Sequence, residues 1–498
     1  MNIVYLTSEA VPFAKTGGLA DVCGALPTKI AALGHQAVVI MPAFASIRKS
    51  GIPIESTDIS FAVQMSDRNL VGARLLQSVL PDSNVPVWLI DQPKYFNREG
   101  LYGSPGGDYP DNAERFAFFC RAAMQAITRM GWSVDIVHCN DWQSGLVPAL
   151  MKNAAKRDDG FRRYPWLRHA KSVVTVHNLA YQGVFPRSEF QWTGEDWSHF
   201  NADEYEYYDQ INYLKTALIT ADMITTVSPK YAEEICTAHH GCGLDQVLLA
   251  RRDRLSGIIN GIDTDIWNPN KDSQLTDNYD RSNWQAGKAA NKQALQKHFG
   301  LATDPNLPLI GLVGRLAEQK GWDLILPVLE KHLLEDRPNQ WVVLGSGGLH
   351  FEEALQDLAN RYPDRFGLHV GFSDKLAHRI EAGSDLFVMP SHYEPCGLNQ
   401  LYSLRYGTVP VVTPTGGLAD TVVDCNSTTL ADKTATGFFL KSPSAAGLDD
   451  AIGRALQLRY HEPEKWEQII QTAMSQDWSW RKSASQYVEL YEQTLALK

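Results

Sequence analysis

Hydrophobic residues in this chain cluster in short, β-branched runs separated by longer segments with helical periodicity. The runs are continuously apolar, which is typical of parallel strands covered by helices on both faces. Strands are predicted in the first half at NIVYLT (2–7), QAVVIM (36–41), VPVWLI (85–90), VDIVHC (134–139), KSVVTVH (171–177) and MITTVS (223–228). Strands are predicted in the second half at PLIGLVG (308–314), WVVLGS (341–346), DLFVMP (385–390) and VPVVT (409–413). This alternation predicts an α/β chain with two doubly wound, Rossmann-like domains.

The domain boundary is predicted where Gly, Asn, Asp and Pro cluster, in SGIINGIDTDIWNPNKD (256–272). We assign residues 1–250 to an N-terminal domain and 251–475 to a C-terminal domain. Residues 476–498 are expected to form a C-terminal helix that packs back on the N-terminal domain. One face of that amphipathic helix carries Tyr487, Leu490, Tyr491 and Leu495.

Composition narrows the range of partners. The 498 residues carry a formal net charge of −11, which argues against nucleic acid or an anionic membrane as a partner. No apolar run reaches the roughly 18 residues of a membrane span, and the N-terminus lacks the pattern of a signal peptide. Seven cysteines without a CxxC pair predict free thiols and a cytoplasmic location. Because the chain as a whole is negatively charged, any site for an anionic ligand must be a local one.

The hexapeptide TGGLAD occurs twice, at 16–21 and at 415–420. Each copy follows a predicted strand and leads into a predicted helix. Paired glycines let a ligand approach the backbone closely, and a helix N-terminus offers N–H groups to an anion. Neither copy is a GxGxxG dinucleotide motif. The alternative, that both glycine pairs only permit tight strand-to-helix packing, stays open at this point.

Six segments, in order and with matching spacing, resemble the family of bacterial glycogen synthases and plant starch synthases. They are KTGGLADV (15–22), VHNLAYQG (176–183), NGIDTDIWNP (260–269), GRLAEQKGWD (314–323), SHYEPCGLNQLYSLRYGTVPVV (391–412) and TGGLADTV (415–422). The resemblance implies the GT-B fold, with two Rossmann-like domains facing a central cleft. It implies retaining transfer of glucose from ADP-glucose to the non-reducing end of an α-1,4-glucan, such as glycogen, starch or a malto-oligosaccharide. No cofactor other than this donor substrate is implied.

Two rival functions are weighed against this resemblance. Another sugar synthase of the same fold would not be expected to carry KTGGLAD and EPCGLNQLY together. A glucan-binding protein that had lost activity would be expected to lack Lys15, Arg315, Lys320 or Glu394, and the chain has all four.

Breaking a bond to ADP places negative charge on the leaving diphosphate. Arg315 and Lys320 follow the strand predicted at 308–314. An arginine can bind two phosphate oxygens at once, and a lysine adds a compact positive charge. The resemblance implies that both stabilise the diphosphate, whereas the alternative is a surface pair with Glu318. Backbone N–H groups at Thr415, Gly416 and Gly417 are implied as further diphosphate contacts.

Glu394 follows the strand predicted at 385–390, and the resemblance places it against the glucose hydroxyls. Further donor contacts are implied at Cys396, Gly397 and Leu398. Related transferases carry a second Glu eight positions on, where this chain has Tyr402. Retention of the anomeric configuration by double displacement needs a carboxylate nucleophile, and Glu394 is the only candidate. A front-face reaction assisted by the leaving phosphate is the alternative, and both stay open.

In the N-terminal domain, the resemblance implies that Lys15 and Gly18 reach the sugar and phosphate region. Strand ends carry Asp141, His177 and Asn178, which are expected to contact donor or acceptor hydroxyls, with His177 at the 6-hydroxyl. Asn260 is implied as a further ligand contact. Phe372 is implied to stack on adenine, against the alternative of a core phenylalanine.

Two patterns resemble metal sites but are interpreted otherwise, so no metal is expected. Asp263 and Asp265 form a DxD pair that we assign to turn and helix-cap chemistry. The Cys and His residues of ICTAHHGCG (235–243) fit no zinc spacing. The aromatic segment 190–214 offers Tyr205, Tyr207 and Tyr208 to a glucan, but the favoured interpretation is the packing face of an amphipathic helix.

Overall fold

The computed structural model describes residues 1–66, 69–104 and 106–497. Lys498, the last residue of the predicted C-terminal segment, lies outside them. The chain divides into two compact units, Met1–Gly261 with Trp480–Lys498 and Ile262–Ser479. Each unit is built on a largely parallel sheet, and the predicted two-domain α/β fold is confirmed.

The first unit contains a nine-stranded sheet and two small sheets. Its strands are β1 (Asn2–Leu6), β2 (Gln36–Pro42), β3 (Glu55–Ser66), β4 (Asn69–Val79), β5 (Pro86–Asp91), β6 (Gly103–Ser104), β7 (Gly107–Asp108), β8 (Ile136–Asn140), β9 (Lys171–Val176), β10 (Val184–Pro186), β11 (Glu206–Tyr207), β12 (Gln210–Asn212), β13 (Met223–Thr226) and β14 (Leu255–Gly257). The large sheet has the order β14-β13-β9-β8-β1-β2-β5-β4-β3. Adjacent strands are parallel throughout this sheet except at one edge. There β4 pairs antiparallel with both β3 and β5.

Helices cover the sheet of the first unit. They are α1 (Gly18–Ala32), α2 (Ala45–Lys49), α3 (Pro93–Phe96), α4 (Asn112–Met130), α5 (Val147–Lys156), α6 (Gly160–Arg163), α7 (Tyr213–Thr220), α8 (Pro229–Glu234) and α9 (Asp245–Ala250). Short 3₁₀ turns lie at Trp142–Ser144, Pro165–Arg168, Arg187–Thr193, Trp197–His199 and Arg252–Arg254. The strands β1, β2, β5 and β8 are almost wholly buried, which explains why their sequences are continuously apolar.

The second unit contains one six-stranded parallel sheet of order β17-β16-β15-β18-β19-β20. Its strands are β15 (Leu309–Val313), β16 (Gln340–Gly345), β17 (Phe366–Val370), β18 (Leu386–Met389), β19 (Val409–Val412) and β20 (Phe438–Phe439). Its helices are α10 (Trp284–Phe299), α11 (Trp322–Leu334), α12 (Leu349–Arg361), α13 (Asp374–Gly383), α14 (Asn399–Tyr406), α15 (Gly416–Thr421), α16 (Ser427–Ala431), α17 (Ala445–His461) and α18 (Pro463–Ser475). A 3₁₀ turn lies at Glu318–Lys320.

The last helix, α19 (Trp480–Leu495), packs on the sheet of the first unit. The Tyr491 hydroxyl lies 3.0 Å from the Tyr5 hydroxyl and 2.8 Å from Nδ1 of His138, and these two residues face each other on β1 and β8. Burial lowers the pKa of His138 to about 3, so this side chain is neutral. The face of α19 that carries Tyr487 and Leu490 is buried.

The structure differs from the sequence-based expectations in two places. The first unit continues past residue 250 to Gly261, because β14 adds to the sheet beside β13. The aromatic segment is not an amphipathic helix, since β11 and β12 pair as a hairpin next to β10. Within it Tyr205 is fully buried, whereas Tyr208, at the hairpin turn, is 80% exposed.

The structure also shows the state of the cysteines and the character of the helices. All seven cysteines are free thiols. None of the helices in the described parts of the chain combines the length and apolar character needed to cross a membrane.

Candidate active site

In the second unit, predicted site residues follow four strands of one parallel sheet. Phe372 follows β17, Arg315 follows β15, Glu394 follows β18 and Thr415 follows β19. Because all these strands are parallel, their carboxyl ends share one edge. That edge is where open α/β sheets bind ligands. The fold therefore brings these four loops to a single candidate site.

Lys320 and Glu394 form an ion pair at this edge. The Nζ of Lys320 donates to Oε2 of Glu394 over 2.6 Å, and the Ser391 hydroxyl donates to the same oxygen over 3.0 Å. Glu394 is only 6% exposed, so the two donors offset the cost of burying its charge. The pair fixes a carboxylate and an ammonium group next to each other at the sheet edge.

Arg315 is exposed at the same edge and available to a ligand. Its Nη2 donates to Oε1 of Gln319 over 3.1 Å, and its carbonyl accepts from the Trp322 indole over 3.0 Å. The alternative of a pair with Glu318 is not observed, and among the described residues no carboxylate lies within ion-pair distance of this guanidinium. Arg315 therefore presents a positive charge that the protein itself does not neutralise.

The second glycine loop does not have all the free N–H groups that the sequence suggests. The Gly417 N–H donates to the carbonyls of Glu394 (3.1 Å) and Pro395 (3.2 Å), and the Thr415 N–H donates to the Thr413 carbonyl (2.8 Å). Both N–H groups thus have acceptors within the protein, and the predicted diphosphate contacts at Thr415, Gly416 and Gly417 stay predictions.

Close packing explains the glycines of this copy. A Cβ on Gly416 would lie 2.0 Å from the Glu394 carbonyl oxygen, and a Cβ on Gly417 would lie 2.0 Å from that of Cys396. Gly416 also has a φ of +44°, which L-residues rarely adopt. Here the hexapeptide holds the loop that carries Glu394 against the start of α15.

The rest of the Glu394 segment is shaped by a turn into α14. Cys396 is buried, Gly397 has a φ of +71°, and Leu398 is the residue that precedes the helix. Tyr402, at the position of the second Glu in related transferases, stacks on Trp267 with ring centroids 3.7 Å apart. The departure from that pattern thus has a packing role in this chain.

Phe372 is 87% exposed, which rules out the alternative of a core phenylalanine. It follows Gly371, whose φ is +131°, and precedes Ser373, whose hydroxyl caps α13. The exposed ring is available for contact with a ligand. Its position at the carboxyl end of β17 suits stacking on a planar base.

In the first unit, the loop after β1 is organised by a residue that the sequence analysis missed. Glu9, 3% exposed, accepts from the N–H and hydroxyl of Thr16 (2.5 and 2.6 Å), from the N–H of Gly17 (3.3 Å) and from the Tyr102 hydroxyl (2.6 Å). These bonds fix the first TGG segment before α1 begins. The signal was present in the sequence, since Glu9 interrupts an otherwise apolar stretch.

The first glycine copy differs from the second in its surroundings. A Cβ on Gly17 or Gly18 would meet no atom within 4 Å, so packing does not require glycine there. Lys15 is about half exposed and its Nζ pairs with Oδ1 of Asp21 over 2.7 Å. Open space around two glycines leaves room for a ligand to approach the backbone.

Asp141 and His177 meet at the carboxyl ends of β8 and β9. The Oδ1 of Asp141 accepts from the N–H of His177 over 2.7 Å, and Asp141 adopts a φ of +55°, which is uncommon for a residue other than glycine. Burial raises the pKa of the Asp141 carboxyl to about 7. Such a perturbed carboxyl beside a strand end is typical of a functional site.

The tautomer of His177 follows from its neighbour Asn140, a second residue that the sequence analysis missed. The Asn140 amide NH₂ donates to the carbonyls of Leu6 (3.2 Å) and His138 (3.4 Å), so its Oδ1 is an acceptor. The Nε2 of His177, 2.9 Å from that oxygen, must carry the proton. Burial lowers the pKa of His177 to about 3, which leaves Nδ1 unprotonated as an acceptor for a hydroxyl.

The remaining candidates of the first unit are two asparagines. Asn178 is half-buried, and its Oδ1 accepts from the Ala180 N–H over 3.0 Å. Asn260 is 5% exposed, and its Oδ1 is buried without a donor in the described part of the chain. A buried acceptor without a partner usually indicates an ordered water or a ligand.

The DxD pair has the turn geometry that was expected. Oδ1 of Asp263 accepts from the N–H groups of Asp265 (2.8 Å) and Ile266 (3.1 Å), and Asp265 pairs with Lys271 over 2.6 Å. Across residues 1–66, 69–104 and 106–497, no group of three or more His, Cys, Asp or Glu side chains is placed to hold a metal ion.

Comparisons with known proteins cover the whole chain. Residues 2–250 match the starch synthase catalytic domain and residues 294–475 match glycosyl transferases group 1. A glycogen synthase from Rhodopirellula baltica is 59% identical over 505 aligned residues, which include 100% of this chain and 98% of the relative. A glycogen synthase from Syntrophotalea carbinolica is 46% identical, with 100% and 99% covered.

Solved structures agree with the sequence relatives. The catalytic domain of starch synthase IV from Arabidopsis thaliana, bound to ADP and acarbose, has a TM-score of 0.89, 33% identity and coverage of 100% of this chain and 99% of its own. A sucrose-phosphate synthase from Thermosynechococcus elongatus, with a TM-score of 0.57 and 16% identity, shares the fold alone. The chain is therefore a glycosyltransferase that belongs to the family of glycogen and starch synthases.

Proposed function

We propose that this glycosyltransferase transfers glucose from ADP-glucose to the non-reducing end of an α-1,4-glucan, with retention of configuration. The observation that carries the proposal is the sheet edge of the second unit. There an unneutralised arginine, the Lys320–Glu394 pair and an exposed aromatic ring follow three parallel strands, β15, β18 and β17. The Arabidopsis relative bound to ADP and acarbose supports a nucleotide sugar and a glucan as substrates.

The second unit would bind the nucleotide. Arg315 and Lys320 would contact the diphosphate, where charge grows as the glycosidic bond breaks. Groups fixed in advance at such a position stabilise the transition state more than the ground state. Phe372 would stack on the adenine ring, since stacking needs an exposed face.

Glu394 would orient the transferred glucose. Its carboxylate is held by Lys320 and Ser391, so it can accept from sugar hydroxyls without first reorganising. Cys396, Gly397 and Leu398 line the adjoining turn and would form the wall beside the sugar.

The first unit would contact the sugar and the acceptor. The unprotonated Nδ1 of His177 is suited to accept from the 6-hydroxyl, and Asp141 and Asn178 lie beside it. Lys15 and the open backbone at Gly18 would approach the sugar and phosphate. Asn260, with its unpartnered Oδ1, would accept from a donor group of the ligand.

A transfer assay tests the proposal. Radiolabelled ADP-glucose and UDP-glucose are supplied at equal concentration with glycogen as primer, with and without EDTA. We expect turnover with ADP-glucose, much less with UDP-glucose, and no loss in EDTA, because protein cations offset the diphosphate charge. Equal or better turnover with UDP-glucose would contradict the donor assignment, and loss in EDTA would contradict the metal-free diphosphate site.

A further inference from the structure

The 3₁₀ turn that follows β15 is joined to the segment that carries Glu394 by two consecutive side chains. Lys320 reaches Glu394 itself through their ion pair. Gln319 reaches the residue before it, because its Nε2 donates to the Tyr393 carbonyl over 3.1 Å. The Gln319 carbonyl also accepts from the N–H of His392 over 3.0 Å. The side chain and the backbone of Gln319 thus both bind this segment.

The other end of the Gln319 amide holds Arg315. Its Oε1 accepts from Nη2 of the guanidinium over 3.1 Å, whereas the Trp322 indole binds only the backbone of Arg315. In the described part of the chain, no other side chain is hydrogen-bonded to this guanidinium. An exposed arginine that is not held has many rotamers, and ordering it when a ligand binds is costly in entropy. Gln319 therefore restricts Arg315 before a ligand arrives.

The contacts on both sides fix the orientation of this amide. A guanidinium can only donate and a peptide carbonyl can only accept, so Oε1 must face Arg315 and Nε2 must face Tyr393. Turning the amide over would place two donors against each other on one side and two acceptors on the other. Gln319 is therefore a fixed link between Arg315 and the segment that carries Glu394.

A neutral residue is needed at this position if Arg315 is to remain a cation for a ligand. A glutamate would also accept from the guanidinium, but it would neutralise the charge and could not donate to the Tyr393 carbonyl. The amide occupies one N–H group of the guanidinium and leaves the others for phosphate oxygens. The neighbouring carboxylate, Glu318, is exposed and does not pair with Arg315.

We propose that Gln319 is a positioning residue for glucosyl transfer, which holds the Arg315 guanidinium against the segment that carries Glu394 and leaves its charge available. The role rests on the proposed contact of Arg315 with the diphosphate. Groups fixed in advance stabilise developing charge without reorganisation, and a displacement of about 1 Å can cost about a hundredfold in rate. Gln319 would thus affect the rate through Arg315.

Two substitutions separate the position of Arg315 from its charge. Gln319→Met keeps the length of the side chain and removes both hydrogen bonds, so kcat for glucosyl transfer should fall about tenfold to a hundredfold, with a smaller change in KM for ADP-glucose. Gln319→Glu keeps an acceptor for Arg315 but neutralises it, so calorimetric titration should show ADP binding weakened about tenfold. Gln356→Met is the matched control, because this exposed amide of α12 bonds to Asn360 in the same helix, and its kcat and KM should be unchanged.

A double-mutant cycle tests whether Gln319 acts through Arg315. In the Arg315→Ala background nothing remains to be positioned, so Gln319→Met should change kcat by less than about twofold. A merely structural role, in which Gln319 supports the Glu394 segment through the Tyr393 carbonyl, would lower kcat by the same factor in both backgrounds. That additive result would overturn the proposal.

The same experiments distinguish a wrong role for Gln319 from a wrong diphosphate site. Low turnover in Arg315→Ala together with normal kcat in Gln319→Met would overturn the positioning role alone. Normal turnover in Arg315→Ala would contradict the diphosphate role of Arg315, and with it the role of Gln319. Urea unfolding curves show whether each variant folds. Should Gln319→Met not fold, unchanged ADP affinity in Gln319→Glu would still overturn the proposal.

Discussion

The two glycine loops, identical in sequence, are expected to respond oppositely to the same substitution. In Gly18→Ala the new methyl group enters open space, since no atom lies within 4 Å of the added Cβ. In Gly416→Ala it would lie 2.0 Å from the Glu394 carbonyl oxygen, on a backbone with a φ of +44°. The pair of variants therefore compares one change of chemistry in two environments.

The magnitudes follow from these surroundings. At Gly18, alanine reduces the freedom of the unfolded chain and is expected to leave stability unchanged or raise it by up to about 1 kcal/mol. At Gly416, the left-handed backbone costs about 1–2 kcal/mol and overpacking costs about 1–3 kcal/mol. The expected loss at Gly416 is thus about 2–5 kcal/mol, and it displaces the loop that carries Glu394.

Three measurements distinguish the loops: denaturant unfolding, calorimetric titration with ADP, and glucosyl transfer to glycogen. We expect Gly416→Ala to lower stability, ADP affinity and transfer together. Gly18→Ala should keep its stability and its ADP affinity, and the bulkier Gly18→Val should lower turnover by about a hundredfold, because a displacement of about 1 Å at a reacting centre can have that effect.

Two results would refute this reasoning. Loss of ADP affinity in Gly18→Val as severe as in Gly416→Ala would show that the first loop also binds the nucleotide. Full activity in Gly18→Val would show that no substrate group approaches that backbone. The control is to measure the unfolding curves of both variants under the same conditions, which separates a functional effect from a folding defect.

Other predictions concern single side chains. Phe372→Ala should leave stability unchanged, because the ring is 87% exposed, and weaken ADP binding by about 1–3 kcal/mol of lost stacking; unchanged titration curves would contradict the adenine assignment. Arg315→Ala and Lys320→Ala should each lower turnover about a hundredfold to a thousandfold, and only the lysine variant should also lower stability, because it leaves the buried Glu394 without its ion-pair partner. Normal turnover in both would place the diphosphate elsewhere. Burial raises the pKa of Asp141 from 3.8 to about 7, so the folded state holds this proton more tightly than the unfolded state, and the resulting stability is present below pH 4 and lost as the pH rises to about 7. Asp141→Asn should flatten that part of a stability curve measured by urea unfolding, and an unaltered slope would show that Asp141 is not the titrating group.

The sequence alone predicted the fold class because strands that are buried on both faces consist of apolar residues, which are visible in the sequence. All ten predicted strands are present, since each parallel strand is covered on both faces and must be continuously apolar. The strands that were missed lack that signature. In β3, at the antiparallel edge, exposed and buried residues alternate, and β20 has only two residues.

The sequence also identified site residues that stand out individually by their charge and position. Arg315, Lys320 and Glu394 are charged groups directly after buried strands, and parallel topology places strand ends at one edge. What each charge contacts was decided by the tertiary structure. The Lys320–Glu394 pair joins residues from different loops, and the expected competitor Glu318 has no part in it.

Only the tertiary structure separated the two TGGLAD copies. Their letters are the same, but the first is held by Glu9, which accepts in turn from the distant Tyr102, and leaves its glycines open. The second packs against the Glu394 loop. A short sequence fixes which backbone conformations are accessible, whereas the neighbours that come from other parts of the chain decide whether the space around that backbone is filled by protein or left for a ligand.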